Sequence, residues 1–367
     1  MKEIFSKEYY NKVLGSWVGR IAGDHVGYPL EFRPYSYIKL KYGDLDYFPR
    51  KVNTDYVNDD EMYEICALIA LEKNGINLTS EDIAKEWVRL LYKQYFTAEK
   101  VALKNLKMGI KPPESGKVNN VYQDAIGAQM RADIWGQITP GCPELAKDYA
   151  MMDGCISHSG IGIEGEIFIA SMISLSFFND NIKNIIDKSL KLIPSKDESL
   201  YTLFVEKAIT IYNNYPRDYR KARKALIDFW HEIRWSRLIP QESLLSKRNL
   251  LYLNRITSGV HVLPNIGIII LSLLYGVRAA DQLGESICIA ARMGLDTDCN
   301  CGNIGAIIGT ILGLDNIPKK WKLPLRNKFS TYVKGYEQWK ITELAKRISS
   351  IGKLVIEKKC QNSIQII

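Results

Sequence analysis

At 367 residues the chain is long enough to bury a large core, and its 46% apolar and 25% charged fractions are those of soluble globular proteins, not of disordered, collagen-like or coiled-coil chains. The net charge of +8 is modest for this length, with Lys and Arg dispersed among Asp and Glu, so nucleic-acid binding is not indicated. The most apolar runs, 167–178 and 266–275, reach about half of the ~20 residues that cross a bilayer, which excludes a membrane span there.

The N-terminal residues MKEIFSKEYYNKVLGSW carry no uninterrupted apolar stretch and no small-residue cleavage site, so a cytoplasmic protein is expected. The odd count of seven cysteines, without the spacing of a secreted disulfide framework, agrees with reduced thiols. Apolar residues three and four apart predict helices over 10–22, 62–71, 83–95, 163–178, 182–192, 200–213, 219–229, 266–274, 279–293 and 304–312. Period-two alternation is nearly absent, so the expected class is all-α. Loops are expected at 29–54, 111–120 and 240–254, and the tail 321–367 reads as a partly amphipathic helical extension. No composition shift divides the chain, which favours one domain over 1–367.

Glycines at 15, 19, 23 and 27, and again at 305, 309 and 313, step by four. Each costs a helix about 1 kcal/mol relative to Ala, so the two series predict two helices whose backbones cross in close contact.

Two acidic clusters carry most of the chemistry: Asn58-Asp59-Asp60 and Asp296-Thr297-Asp298, each directly ahead of a helical pattern. Helix capping explains one acid at such a position. Two like charges without a basic neighbour instead call for a cation, and hard divalent ions such as Mg²⁺ take carboxylate, amide and hydroxyl oxygens. With four His in the chain and no H-E-x-x-H, a His-based zinc site is not expected. A phosphatase or glycosyltransferase D-x-D would follow a β-strand, whereas 287–293 reads as a helix closed by Gly294.

Taken together, GSWVGRIAGDHVGYPLEF (15–32), VNDDEMYEICALIALE (57–72) and GLDTDCNCGNIGAIIGTILG (294–313) resemble, in order and spacing, the motifs of the ADP-ribosylglycohydrolase family. The stretch 126–178 and His261-Val262-Leu263-Pro264-Asn265 extend the similarity to a bacterial branch, so that it covers about 10–315. The resemblance implies a compact orthogonal helical bundle around a two-metal site, Mg²⁺ or Mn²⁺, that cleaves the glycosidic bond between ADP-ribose and a side chain, nucleobase or small molecule. By position it implies metal ligation by Asn58, Asp59, Asp60, Asp296 and Asp298, with Asn58 standing where many members have Thr. Cys299 also replaces a Thr ligand, and its soft sulfur suits Mg²⁺ poorly, which weakens the case for a second metal. Glu31, Asp59 and Asp60 are the implied proton-handling carboxylates, with no choice made among them. Asp24, His158, Gly160 and Gly162 match substrate-contacting positions. Two other functions stay open at this point: hydrolysis of another ribosyl compound such as a nucleoside or N-riboside, and an ADP-ribose-binding module of weak activity. The oligomeric state is not legible.

Overall fold

The computed structural model describes residues 2–238, 259–361 and 364–367, and the loop expected at 240–254 lies outside them. Strand β1 (Lys2–Ile4) leads into α1 (Ser6–Gly27), which a short 3₁₀ turn and α2 (Tyr35–Tyr42) follow. Next come α3 (Asp60–Asn74), α4 (Ser80–Leu90) and α5 (Thr97–Lys107), the short helices α6 (Glu114–Lys117), α7 (Gly127–Met130) and α8 (Asp133–Gln137), then α9 (Pro143–Gly154) and α10 (Ile161–Ser176). The second half holds α11 (Ile182–Leu190), α12 (Leu200–Asn214), α13 (Tyr219–Ile233), α14 (Val262–Gly276), α15 (Gln282–Met293), α16 (Thr297–Asn316) and α17 (Lys319–Lys322). Strands β2 (Lys328–Ser330) and β3 (Gln338–Lys340), α18 (Ile341–Lys359) and β4 (Ile364–Ile366) end the chain. The class is all-α, with two minimal sheets, β1 parallel to β4 and β2 antiparallel to β3.

The glycine series do what their spacing predicts. Helices α1 and α16 run antiparallel in backbone contact, and a Cβ added at Gly19 would lie 2.0 Å from the carbonyl oxygen of Gly305. The same holds at Gly15 against Gly309, at Gly23 against Cys301 and at Gly27 against Thr297. At these glycine positions no side chain fits between the two backbones. Gly313 stays in the seam, its carbonyl carbon 2.7 Å from a Cβ added at Gly15, but its φ of +67° breaks the regular helix there.

Around this pair, one hydrophobic cluster runs from Ile4 to Val355 and takes in Trp17, Trp87, Trp135 and Trp321. The tail belongs to that core: Ile341, Leu344, Ile348 and Val355 of α18 are buried, so 321–367 is more than a helical extension and carries strands as well. Other differences have local causes. The helix expected over 83–95 stops at Leu90, where Leu91 bridges Val333. The expected loop 29–54 contains α2, which buries only Ile38 and therefore shows no apolar stripe in the sequence. Among the described residues no helix is long and apolar enough to cross a membrane.

Candidate active site

Three chain segments converge at one end of the α1–α16 seam. The turn after α1 delivers Glu31, the start of α3 delivers Asn58, Asp59 and Asp60, and the start of α16 delivers Asp296, Asp298 and Cys299. Asp59 and Asp296 occupy the N-cap positions of their helices, yet neither side chain makes a capping hydrogen bond. Both face a cavity of about 420 Å³, shared with Glu31, Asn58, Asp298 and Cys299. Capping is therefore not what these carboxylates do.

The framework that aims them is made of short-range contacts. The Thr297 hydroxyl, between the two aspartates, donates to the Gly27 carbonyl at 2.8 Å and pins α16 to the end of α1. The Asn265 side-chain oxygen accepts from the Asp296 amide at 3.3 Å and from Asn300 Nδ2 at 2.7 Å. The Phe32 amide donates to the Leu295 carbonyl at 2.9 Å, which ties the Glu31 turn to the second acidic cluster.

Charge is unbalanced at this site. The Arg20 guanidinium, fully buried, lies among four carboxylates: it bonds Asp133, sits 3.1 Å from Asp60 and 3.6 Å from Glu64, and is 3.8 Å from Asp24. Among the described residues, Glu31, Asp59, Glu61, Asp296 and Asp298 have no basic group within ion-pairing distance. Burial, and then repulsion from Asp298 and Asp60, pushes the Glu31 carboxyl up to about 9. Burial and neighbouring carboxylates likewise hold Asp59 and Asp296 well above the usual range, and burial is the largest cause raising Asp298. Asp296 Oδ1 and Asp298 Oδ1 are buried without a hydrogen-bond partner, as is Asn58 Nδ2. Orphaned carboxylate oxygens in an acid-rich cavity could hold a hard divalent cation. Asp296, Asp298 and Cys299 can each offer one ligand atom within 4.8 Å of the others.

The fold agrees with what known proteins show. A family model of ADP-ribosylglycohydrolases matches residues 6–358, almost the whole chain. The chain belongs to the ADP-ribosylglycohydrolase family. The match extends beyond the 10–315 read from motifs and includes most of α18. A solved chain described as "ADP-ribosylglycohydrolase-related protein complex" shares the fold, with a TM-score of 0.59 at 13% identity, covering 94% of this chain and 99% of its own. No curated protein matches.

Within this ADP-ribosylglycohydrolase fold the expected residues separate into two groups. Glu31, Asn58, Asp59, Asp296, Asp298 and Cys299 line the cavity. Asp60 lies behind its wall, bonded to Arg20, with the Cys299 thiol 3.4 Å from its Oδ1. Burial keeps that thiol well above its usual pKa, so Cys299 acts here as a donor to Asp60. Asp24 is buried at the helix seam, where a Cβ on Gly302 would meet it at 2.3 Å. His158, Gly160 and Gly162 are not among the residues that line the cavity. His158 is buried, with Nδ1 2.8 Å from the Ser157 hydroxyl and Nε2 3.9 Å from Glu99 Oε1. Gly162 packs on the His158 ring, and Gly160 opens α10 with a φ of +55°.

Sequence reading missed Glu99 and the aromatic wall. Glu99 is 2% exposed, lines the cavity and accepts from Arg131 Nη1 at 2.9 Å, while Gly127 leaves room for its carboxylate. A single acid in LYKQYFTAEK gives no cluster signal. Tyr56, Phe32 and Phe96 form the aromatic part of the lining. Non-glycine residues with positive φ gather here: Phe32, Gln94, Thr97 and Leu295. Such conformations cost about 1–3 kcal/mol each and persist where the surroundings enforce them, commonly at functional sites.

Proposed function

We propose that this protein is a divalent-cation-dependent glycosidase that hydrolyses the bond between ADP-ribose and a modified group. The observation that carries the reading is the meeting of Glu31, Asn58, Asp59, Asp296 and Asp298 in one cavity without a basic partner among the described residues. The reading assigns Asp59, Asp296 and Asp298, with the Asn58 amide oxygen, to hold Mg²⁺ or Mn²⁺, and keeps Asp60 behind the wall, paired with Arg20 and accepting from the Cys299 thiol. When bound, such a cation polarises ribose oxygens and eases deprotonation of water. Two-metal occupancy is less favoured by the donor set, because the Cys299 thiol is soft and already committed to Asp60.

The protein's own groups do the rest. Glu31, half-buried on the turn after α1, is placed to pass a proton to or from the reacting oxygen or nitrogen. Positive charge developing at the anomeric carbon is stabilised by the surrounding carboxylates, as in other glycoside hydrolyses. Glu99, on the cavity wall and held by Arg131, adds negative field.

The test is release of ADP-ribose from mono-ADP-ribosyl-arginine, measured with EDTA and after adding Mg²⁺ or Mn²⁺. Release that stops on chelation and returns with the metal is expected. Release that is indifferent to chelation overturns the metal assignment, and no release from arginine, serine or nucleobase linkages overturns the substrate.

A further inference from the structure

The carboxylates at the inner end of the cavity suit a ribose, but they leave its other wall unexplained. Phe32 and Phe96 both line the cavity while remaining 44% and 54% exposed, so each leaves a large apolar face open to water at the mouth of the site. Tyr56 lines it too, and is backed by a parallel stack on Tyr28 with ring centroids 4.0 Å apart, Tyr28 in turn meeting His25 edge-on. The backbone that aims the two phenylalanines is strained on both sides of the mouth. Phe32 itself has a φ of +51°, and Gln94 and Thr97, flanking Phe96, have +55° and +34°. The Phe32 conformation is fixed by its bond to Leu295, a residue at +69°, and by the approach of its ring to Gly259. Exposed rings, lining one cavity and held by unfavourable backbone, are what a stacking site retains for a ligand.

We propose that Phe32, Phe96 and Tyr56 form a leaving-group subsite that accepts a planar N-heteroaromatic ring joined to the ribose through a ring nitrogen. This rests on the glycosidase reading of the carboxylate end. A flat heteroaromatic ring gains offset stacking on such rings beyond the area it buries, and more of them at once than a guanidinium, which also stacks but offers a smaller face, while a hydroxyl side chain gains neither. The acid-rich wall, with Glu99 next to the Phe96 segment, further favours an electron-poor or cationic ring. In the reaction the bond from the anomeric carbon to the ring nitrogen breaks, and its electron pair stays on that nitrogen. The oxygen of water bonds to the anomeric carbon, and the proton it loses passes to Glu31 and on to the solvent, or to the departing ring where the ring is a base.

The experiment is saturation-transfer NMR with nicotinamide, for the wild type and for Phe96→Ala and Phe32→Ala, alone and with excess ADP-ribose. Both rings are exposed, so the variants are expected to unfold at the wild-type temperature, which a thermal melt checks. Nicotinamide is expected to receive saturation from the wild type, to keep it beside bound ADP-ribose, and to lose affinity about fivefold or more in each variant. No transfer, or equal transfer to the variants, overturns the proposal. Displacement by ADP-ribose also overturns it, because the rings then belong to the adenine. The two readings fail separately: nicotinamide binding as described without ADP-ribose release from any linkage removes the hydrolase and leaves the subsite, while release from ADP-ribosyl-arginine without nicotinamide binding does the reverse.

Discussion

Asp298 shows at the scale of one residue how an acidic cluster differs from a helix cap. It is 4% exposed, Oδ1 has no partner, and its neighbours are Asp296, Glu31 across the cavity and Asp60 behind the wall. In the absence of a cation this residue destabilises the fold. Asp298→Asn is therefore expected to raise the melting temperature of the EDTA-treated protein by a few degrees, about 1–2 kcal/mol, while lowering turnover about 100-fold or more. A variant that melts lower and turns over normally would give Asp298 a structural role. His25 gives a pH prediction of definite sign. Burial lowers its pKa from 6.5 to about 4, so the unfolded chain takes up the proton first. Its contribution to stability is complete above pH 6.5 and is lost as pH falls toward 4, by up to roughly 3 kcal/mol. His25→Phe, beside Tyr28 and Tyr56, is expected to flatten that part of the wild-type profile, which urea unfolding at pH 7 and pH 5 measures.

Among the elements, the seam between α1 and α16 was readable because glycine at every fourth position weakens a helix and is useful chiefly where a second backbone must come close. The starts of α3 and α16 were readable because their acids are paired. Helix α5 was not: its buried residues are Ala98, Glu99, Ala102, Leu103 and Asn105, too small or polar to make an apolar stripe, and Phe96 before it makes no side-chain cap. Glu99 and Phe96 went unnoticed for the same reason. The hairpin Lys328–Lys340 was hidden by strands of three residues, below the length at which alternation shows. The seam also yields a prediction against helix propensity. Gly19→Ala would gain about 1 kcal/mol in an isolated helix, yet here its Cβ meets the Gly305 carbonyl at 2.0 Å. Loss of several kcal/mol, or failure to fold, is expected. A melt unchanged from wild type would mean that the helices are not in contact at that point.

For the whole molecule, the proposed cation site predicts a stability that depends on metal. Stabilisation by a ligand that binds only the folded state reaches ~2.7 kcal/mol at 100 times its Kd. Scanning calorimetry with rising Mg²⁺ or Mn²⁺ is expected to show an upward shift that EDTA reverses and that Asp298→Asn abolishes. A flat response to both ions would leave the orphaned oxygens of Asp296 and Asp298 without their proposed partner. That 13% identity suffices for a shared fold over 94% of the chain indicates how little of the sequence the architecture demands beyond helix patterning and the seam.

The seam is also a ruler. Its contacts pair Gly15 with Gly309, Gly19 with Gly305, Gly23 with Cys301 and Gly27 with Thr297, so each step of four along α1 answers a step of four back along α16. The last rung lies beside Asp298, and Glu31 follows four residues after Gly27. A slip by one rung would carry the Glu31 turn about 5–6 Å along the axis, out of reach of the carboxylates it now faces. A single inserted residue would rotate the glycines off the contact face by about 100° and misalign both halves at once. Loops away from the cavity are expected to tolerate lengthening, but the phase of the two glycine ladders sets where the cavity carboxylates meet, and mutational scanning should find insertions barred along the ladder and tolerated in those distant loops.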